Sequence, residues 1–138
     1  MSQINVLISS ASNKASLFKI LDRIAIPDVE VGIFAADIDP MAPVRSIANL
    51  VEMPATRDQN WTQIRQILIS LSIDLVIPTR DDELVFWASH REKLSELGVR
   101  VAVSSIDALE LSLDKLVFFE ATKNLPIMPI PTFTEASS

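Results

Sequence analysis

Five polar residues, Thr79, Arg80, Asp81, Asp82 and Glu83, follow at once on the apolar run Leu75-Val76-Ile77 and Pro78. Carboxylates grouped beside a threonine hydroxyl can line a ligand site or hold a metal. Negative charge is also favoured in the first turn of a helix, so capping accounts for one or two of the acids and leaves one to face a crevice. Asp37 and Asp39 close a second apolar run, 29–36. Acids there can accept hydrogen bonds from hydroxyls, as one does for a ribose, or can cap a turn and helix. The serines of 9–12, with Ser10 and Ser12 foremost, end a third run. Serines at the start of a helix can hold an anion or cap the helix.

Other chemistry is excluded by what the chain lacks. It has no cysteine, and so no disulfide, thiol chemistry or cysteine-based zinc site. His90 is its single histidine. It falls on a helical stretch where exposure is expected, and with no second histidine or cysteine it makes neither a metal site nor a triad. The turn after the first apolar run contains no glycine, so a dinucleotide fingerprint is missing, and no GxxxxGK[ST] phosphate loop occurs. A phospho-receiver would want its acidic pair where this chain has serines. No nucleophile elbow and no serine, histidine and acid arrangement is found. The catalytic and metal sets are therefore empty, and what remains is binding chemistry.

The elements that position these residues alternate. Residues 4–9 read as a strand covered on both faces. Leu17, Ile20, Leu21 and Ile24 give helical spacing over 14–25. Residues 29–36 form a second strand, in which Gly32 permits a close neighbour. One or two helical turns fit within 41–48, and 50–53 is a short third strand. A helix over 59–71 is capped by Asp58. The strand before Pro78 leads to a helix over 82–97, stopped by Gly98, and 99–103 is the fifth strand. Ser104 opens a short helix through 111, and Asp114 caps another over 115–123. The proline-rich tail 125–138 reads as an extended linker after a domain of 1–124. This order predicts an α/β, three-layer, Rossmann-like doubly wound fold, with a mostly parallel five-stranded sheet and helices on both faces. Right-handed crossovers then bring the four polar turns, 9–12, 37–39, 79–83 and Ser104-Ser105, to one carboxyl rim.

The length, 138 residues with a net charge of -6, suits one domain. The acidic balance argues against nucleic acid and anionic membranes as partners. The N-terminus lacks a secretory signal, and no apolar run reaches the roughly 20 residues of a membrane helix. A cytoplasmic protein is expected.

The order of motifs resembles the N-terminal, pre-ATP-grasp domain of ATP-grasp ligases, in particular the group of the carbamoyl-phosphate synthase large chain. The likeness rests on NVLISSAS, AADIDPMAP, IDLVIPTRDDEL, HREKLSELGVRVAVSS, the LDK at Asp114-Lys115 and the exit LPIMPIPTF. It implies a protein that uses ATP and Mg2+ to activate a small-molecule carboxylate as an acyl phosphate, which an amine attacks. In such proteins this domain makes substrate-side contacts and its partners are the ATP-clamping subdomains of the same chain. By resemblance Lys115 contacts the nucleotide, while Ser10, Ser12, Asp37, Asp39, Thr79, Asp81 and Glu83 lie on the substrate side. Where the family's first loop carries glycine and then arginine, this chain has Ala11, Ser12, Asn13 and Lys14. The sequence ends where the ATP-clamping subdomains should begin, so a truncated piece without ligase activity is expected. Two alternatives stay open. One is a free-standing module that binds a nucleotide or metabolite through Asp37 and Asp39. The other is a self-association domain, a homodimer, using Phe86, Trp87, Phe118 and Phe119, adjacent pairs that cannot all face one core.

Overall fold

A computed structural model describes residues 2–127 and 129–132. The chain divides into two compact units, Met1–Val103 and Ser104–Ser138.

The first unit holds one sheet. Its strands are β1 (Ser2–Ser9), β2 (Val29–Asp37), β3 (Asn49–Glu52), β4 (Leu75–Pro78) and β5 (Arg100–Val101), in the order β3-β2-β1-β4-β5. Every neighbouring pair is parallel. The helices are α1 (Ala15–Leu21), α2 (Trp61–Ser70), α3 (Asp81–Ser89) and α4 (Arg91–Glu96), with 3-10 turns at Pro43–Ser46 and Asp58–Asn60. Successive strands step outward from β1 in one direction, then the chain returns and steps outward in the other. With right-handed crossovers, that reversal sends connections to opposite faces.

Side-chain alternation along the strands serves both faces. Leu7, Ala36 and Val76 point into a core with Ile64, Leu68, Trp87 and Leu94 from α2, α3 and α4. Ile8 and Ala35 point into a second core with Phe18 of α1 and Val44 of the first 3-10 turn. The three-layer Rossmann-like fold expected from the sequence is therefore the observed one. Gly32 of β2 does admit a close neighbour: a Cβ there would lie 2.5 Å from Oδ1 of Asn5. Asn5 is buried and donates through Nδ2 to the carbonyls of Leu71 (2.9 Å) and Ser72 (3.2 Å).

Several boundaries depart from expectation for local reasons. The first helix ends at Leu21, because Arg23 and Ile24 bond back three residues, to Ile20 and Leu21, in a tightened last turn. Asp58 does not cap α2 through its side chain but begins the 3-10 turn that leads into it. The single helix expected over 82–97 is two, α3 and α4, hinged at His90. His90 is buried, not exposed. Its Nδ1 lies 2.9 Å from the carbonyl of Phe86, which its own backbone N–H also reaches, and its ring stacks 4.3 Å from that of Trp61. The imidazole thus folds back over the preceding turn and the helix restarts after it. Of the adjacent aromatic pairs expected not all to face one core, Phe86 and Trp87 do share one. Their rings meet nearly edge-on at 5.2 Å on the broad buried side of α3. Gly98 adopts φ 78 and stops the segment as expected.

The second unit contains α5 (Ile106–Leu113) and α6 (Lys115–Thr122). Ser105, rather than Ser104, is the side-chain cap of α5, accepting from the N–H of Ala108. Asp114 caps α6 as expected, with Oδ1 accepting from the N–H groups of Leu116 (2.8 Å) and Val117 (3.1 Å). Within the tail, residue 128 and residues 133–138 lie outside the described residues.

Candidate functional site

The register sets the rim level. Ile8 pairs with both Ala35 and Ile77, and Asp37 pairs with Glu52, so four strands release their loops at nearly one height. The reversal point of the sheet falls between β1 and β4, and ligands commonly enter open α/β sheets there. In this chain side chains of its own close that gap.

Glu83 is the main fastener. It is 1% exposed. Its Oε2 accepts from the Ser9 hydroxyl (2.8 Å) and from Trp87 Nε1 (3.2 Å). Its Oε1 accepts from the backbone N–H groups of Thr79 (2.9 Å) and Arg80 (3.3 Å). All four partners are donors, which is the acceptor-only chemistry of a carboxylate. The Thr79 hydroxyl adds a second tie, donating to the carbonyls of Ser9 (2.8 Å) and Ser10 (3.0 Å). Ser10 takes φ 52, a left-handed conformation that L-residues other than Asn and Asp seldom adopt. The loops after β1 and β4 are thus bound to each other.

Asp37 performs the same service between β1 and β2. It is 8% exposed, accepts from the N–H of Ser12 (2.8 Å) and, through its other oxygen, from the N–H of Asp39 (3.1 Å). Asp39 is exposed and turns back onto the N–H of Met41 (2.8 Å). Asp81 is exposed at the first position of α3, and Asp82 pairs with Arg80 at 2.8 Å. Of the expected substrate-side residues, Ser10, Ser12, Asp37, Thr79 and Glu83 come together as one bonded rim. Asp39 and Asp81 stand outward of it, and Lys115 opens α6 in the second unit. There it lines a groove of about 440 Å3 with Phe118, Phe119 and Ile130.

Beside the fastened loops lies a cleft of about 250 Å3, bounded by Ser10, Asp37, Thr56, Arg57, Arg80 and Asp82. Arg57 was not among the residues expected from the sequence, and Arg80 was expected only as a member of the polar cluster, although each follows a strand and a threonine. A larger hollow of about 570 Å3 lies among Phe18, Leu21, Val31, Ile33 and Ile47, away from the rim. Among the described residues no group of three or more His, Asp or Glu gathers to hold a metal, and no helix is long and apolar enough to cross a membrane. The rim can bind and orient, and its buried hydroxyl–carboxylate pair, Ser9 and Glu83, is engaged in holding the loops together.

A family model described as "PylC-like, N-terminal domain" matches residues 6–102, which take in the rim and all five strands except the first four residues of β1. The chain belongs to this family. The PylC-like domain is thereby an ATP-grasp-family N-terminal domain of the carbamoyl-phosphate-synthase-like group, as the order of motifs suggested. Two solved structures share its fold. N5-carboxyaminoimidazole ribonucleotide synthetase from Thermotoga maritima superimposes with a TM-score of 0.51 at 17% identity over 87% of this chain and 30% of that one. N5-carboxyaminoimidazole synthetase from Staphylococcus aureus, solved in complex with ADP, gives 0.55 at 13% identity over 88% and 30%. The PylC-like domain therefore spans less than a third of the length of those enzymes. No curated protein matches the chain.

Proposed function

We propose that this chain is the substrate-side domain of an ATP-dependent carboxylate–amine ligase that works through an acyl phosphate. The observation that carries the reading is the family match over residues 6–102. The rim supports it: the loops that would face a substrate are bonded to one another, as positioning of a reactant requires. In this reading Ser10, Ser12, Asp37 and Thr79 shape the floor, Asp39 and Asp81 offer exposed carboxylates, and Glu83 holds the floor from beneath. ATP and Mg2+ would be clamped by further subdomains. The Staphylococcus aureus synthetase of the same fold was solved with ADP, which supports a nucleotide in the ligase as a whole. Lys115, beside an apolar groove, is the residue of this chain offered to the nucleotide. The domain is taken to be inactive alone.

The test first fixes the extent of the natural gene product by intact mass; the reading expects a longer protein, which is then assayed. With ATP, Mg2+ and a panel of small carboxylic acids, hydroxylamine should trap the acyl phosphate as a hydroxamate, with release of ADP and phosphate. Lys115→Ala should raise the KM for ATP. Release of AMP and pyrophosphate would refute the acyl-phosphate route, and an unchanged KM would remove Lys115 from the nucleotide site.

A further inference from the structure

Two strand exits of this chain carry the same tripeptide. Thr56-Arg57-Asp58 follows β3 and Pro54, and Thr79-Arg80-Asp81 follows β4 and Pro78. The backbone repeats as well. Arg57 has φ -132 and ψ 150, Arg80 has φ -129 and ψ 142, and each residue immediately precedes a helical segment. Both arginines line the same rim cleft of about 250 Å3.

Local rules do not explain a cation at either place. The residue that precedes a helix is favoured to be Ser, Thr, Asp or Asn, and the positive end of the helix dipole repels a guanidinium. Where a local preference is broken twice in the same way, function is the first explanation to test. The acids nearby do not use the arginines up. Both oxygens of Asp37 are engaged by backbone N–H groups. Among the described residues Arg57 has no ion-pair partner. Arg80 has one, Asp82, but the two side chains are 59% and 66% exposed, and such exposed pairs are weakly held.

We infer that Arg57 and Arg80 form a two-pronged receptor for an oxyanion, a carboxylate or phosphate group of the bound substrate, and that Asp82 occupies Arg80 until that group displaces it. The planar fork of arginine suits both anions. The assignment of the anion to a substrate rests on the ligase reading above; the binding itself does not.

The experiment is an NMR titration of the 138-residue chain with sodium phosphate and, separately, sodium acetate, at ionic strength held constant with sodium chloride. Saturable amide shifts confined to residues 55–58 and 80–83 are expected. Arg57→Gln and Arg80→Gln should each weaken binding about tenfold, and Asp82→Asn should tighten it about threefold. Preference for phosphate would point to a phosphorylated substrate, preference for acetate to a plain carboxylate. Shifts that fail to saturate, that persist in Arg57→Gln, or that ignore Asp82→Asn would overturn the receptor. Each variant's spectrum away from the rim checks that it is folded. Because no ATP is present, anion binding without turnover in the longer protein would refute only the ligase reading. Turnover with an unchanged substrate KM in both arginine variants would refute only the receptor.

Discussion

Replacing Glu83 with glutamine tests the idea that a buried carboxylate fastens the rim. The change is nearly isosteric, so packing is kept while one acceptor oxygen becomes an NH2 donor. If the amide oxygen stays with the N–H groups of Thr79 and Arg80, the NH2 faces the Ser9 hydroxyl and Trp87 Nε1. The hydroxyl can rotate and accept, but the indole N–H cannot. If the amide flips, two backbone donors lose their acceptor instead. Hydrogen bonds to a charged group contribute about 1.5–3 kcal/mol each, and a stranded buried donor costs about 1–3 kcal/mol. Glu83→Gln should therefore destabilise the domain by about 2–4 kcal/mol, out of a total of about 5–15 kcal/mol for a typical domain. Urea unfolding followed by tryptophan fluorescence measures this as a lower midpoint at unchanged m-value. Adding Trp87→Phe removes the stranded donor, so the double variant should lose less than the sum of the singles, by about 1 kcal/mol. A Glu83→Gln midpoint within about 0.5 kcal/mol of the wild type, or strict additivity of the pair, would refute the fastener.

Gly32→Ala places a methyl 2.5 Å from the Asn5 amide oxygen, whose side chain is held by two carbonyls; a loss of about 1–3 kcal/mol should appear in a thermal melt. Asp114→Ala removes the acceptor of two N–H groups at the start of α6; it should cost about 1 kcal/mol and speed hydrogen exchange at Leu116 and Val117.

The alternation of apolar runs with amphipathic stretches was enough to read the fold, because the central strands bury residues on both faces and the strands end in a polar turn or a proline. What the sequence concealed were contacts between elements. His90 looked like a surface histidine because its neighbours Arg91, Glu92 and Lys93 are polar, yet it turns inward to Phe86 and Trp61. Glu83 looked like one of three equivalent acids; only the position of Ser9 and Trp87 over it sets it apart from exposed Asp81. Asp37 and Asp39 likewise divide into a buried tie and an exposed turn. Arg57 and Arg80 were in plain view as a repeated Thr-Arg-Asp, but their shared cleft appears only once β3 and β4 end at the same edge.

The ties from Ser9 to Glu83 and from Thr79 to the Ser9 carbonyl span 74 and 70 residues of chain. They concern the order of assembly as well as the finished rim. The first strand of this sheet to be synthesised is its middle one, and one of its edges waits for β4. Until then the apolar run Val6-Leu7-Ile8 presents an open edge suited to pairing with a stranger. Contacts so distant in sequence form slowly. The rim is thus a late product of folding, and a nascent chain halted before residue 83 would have the strand and the serines but not the carboxylate that sets them.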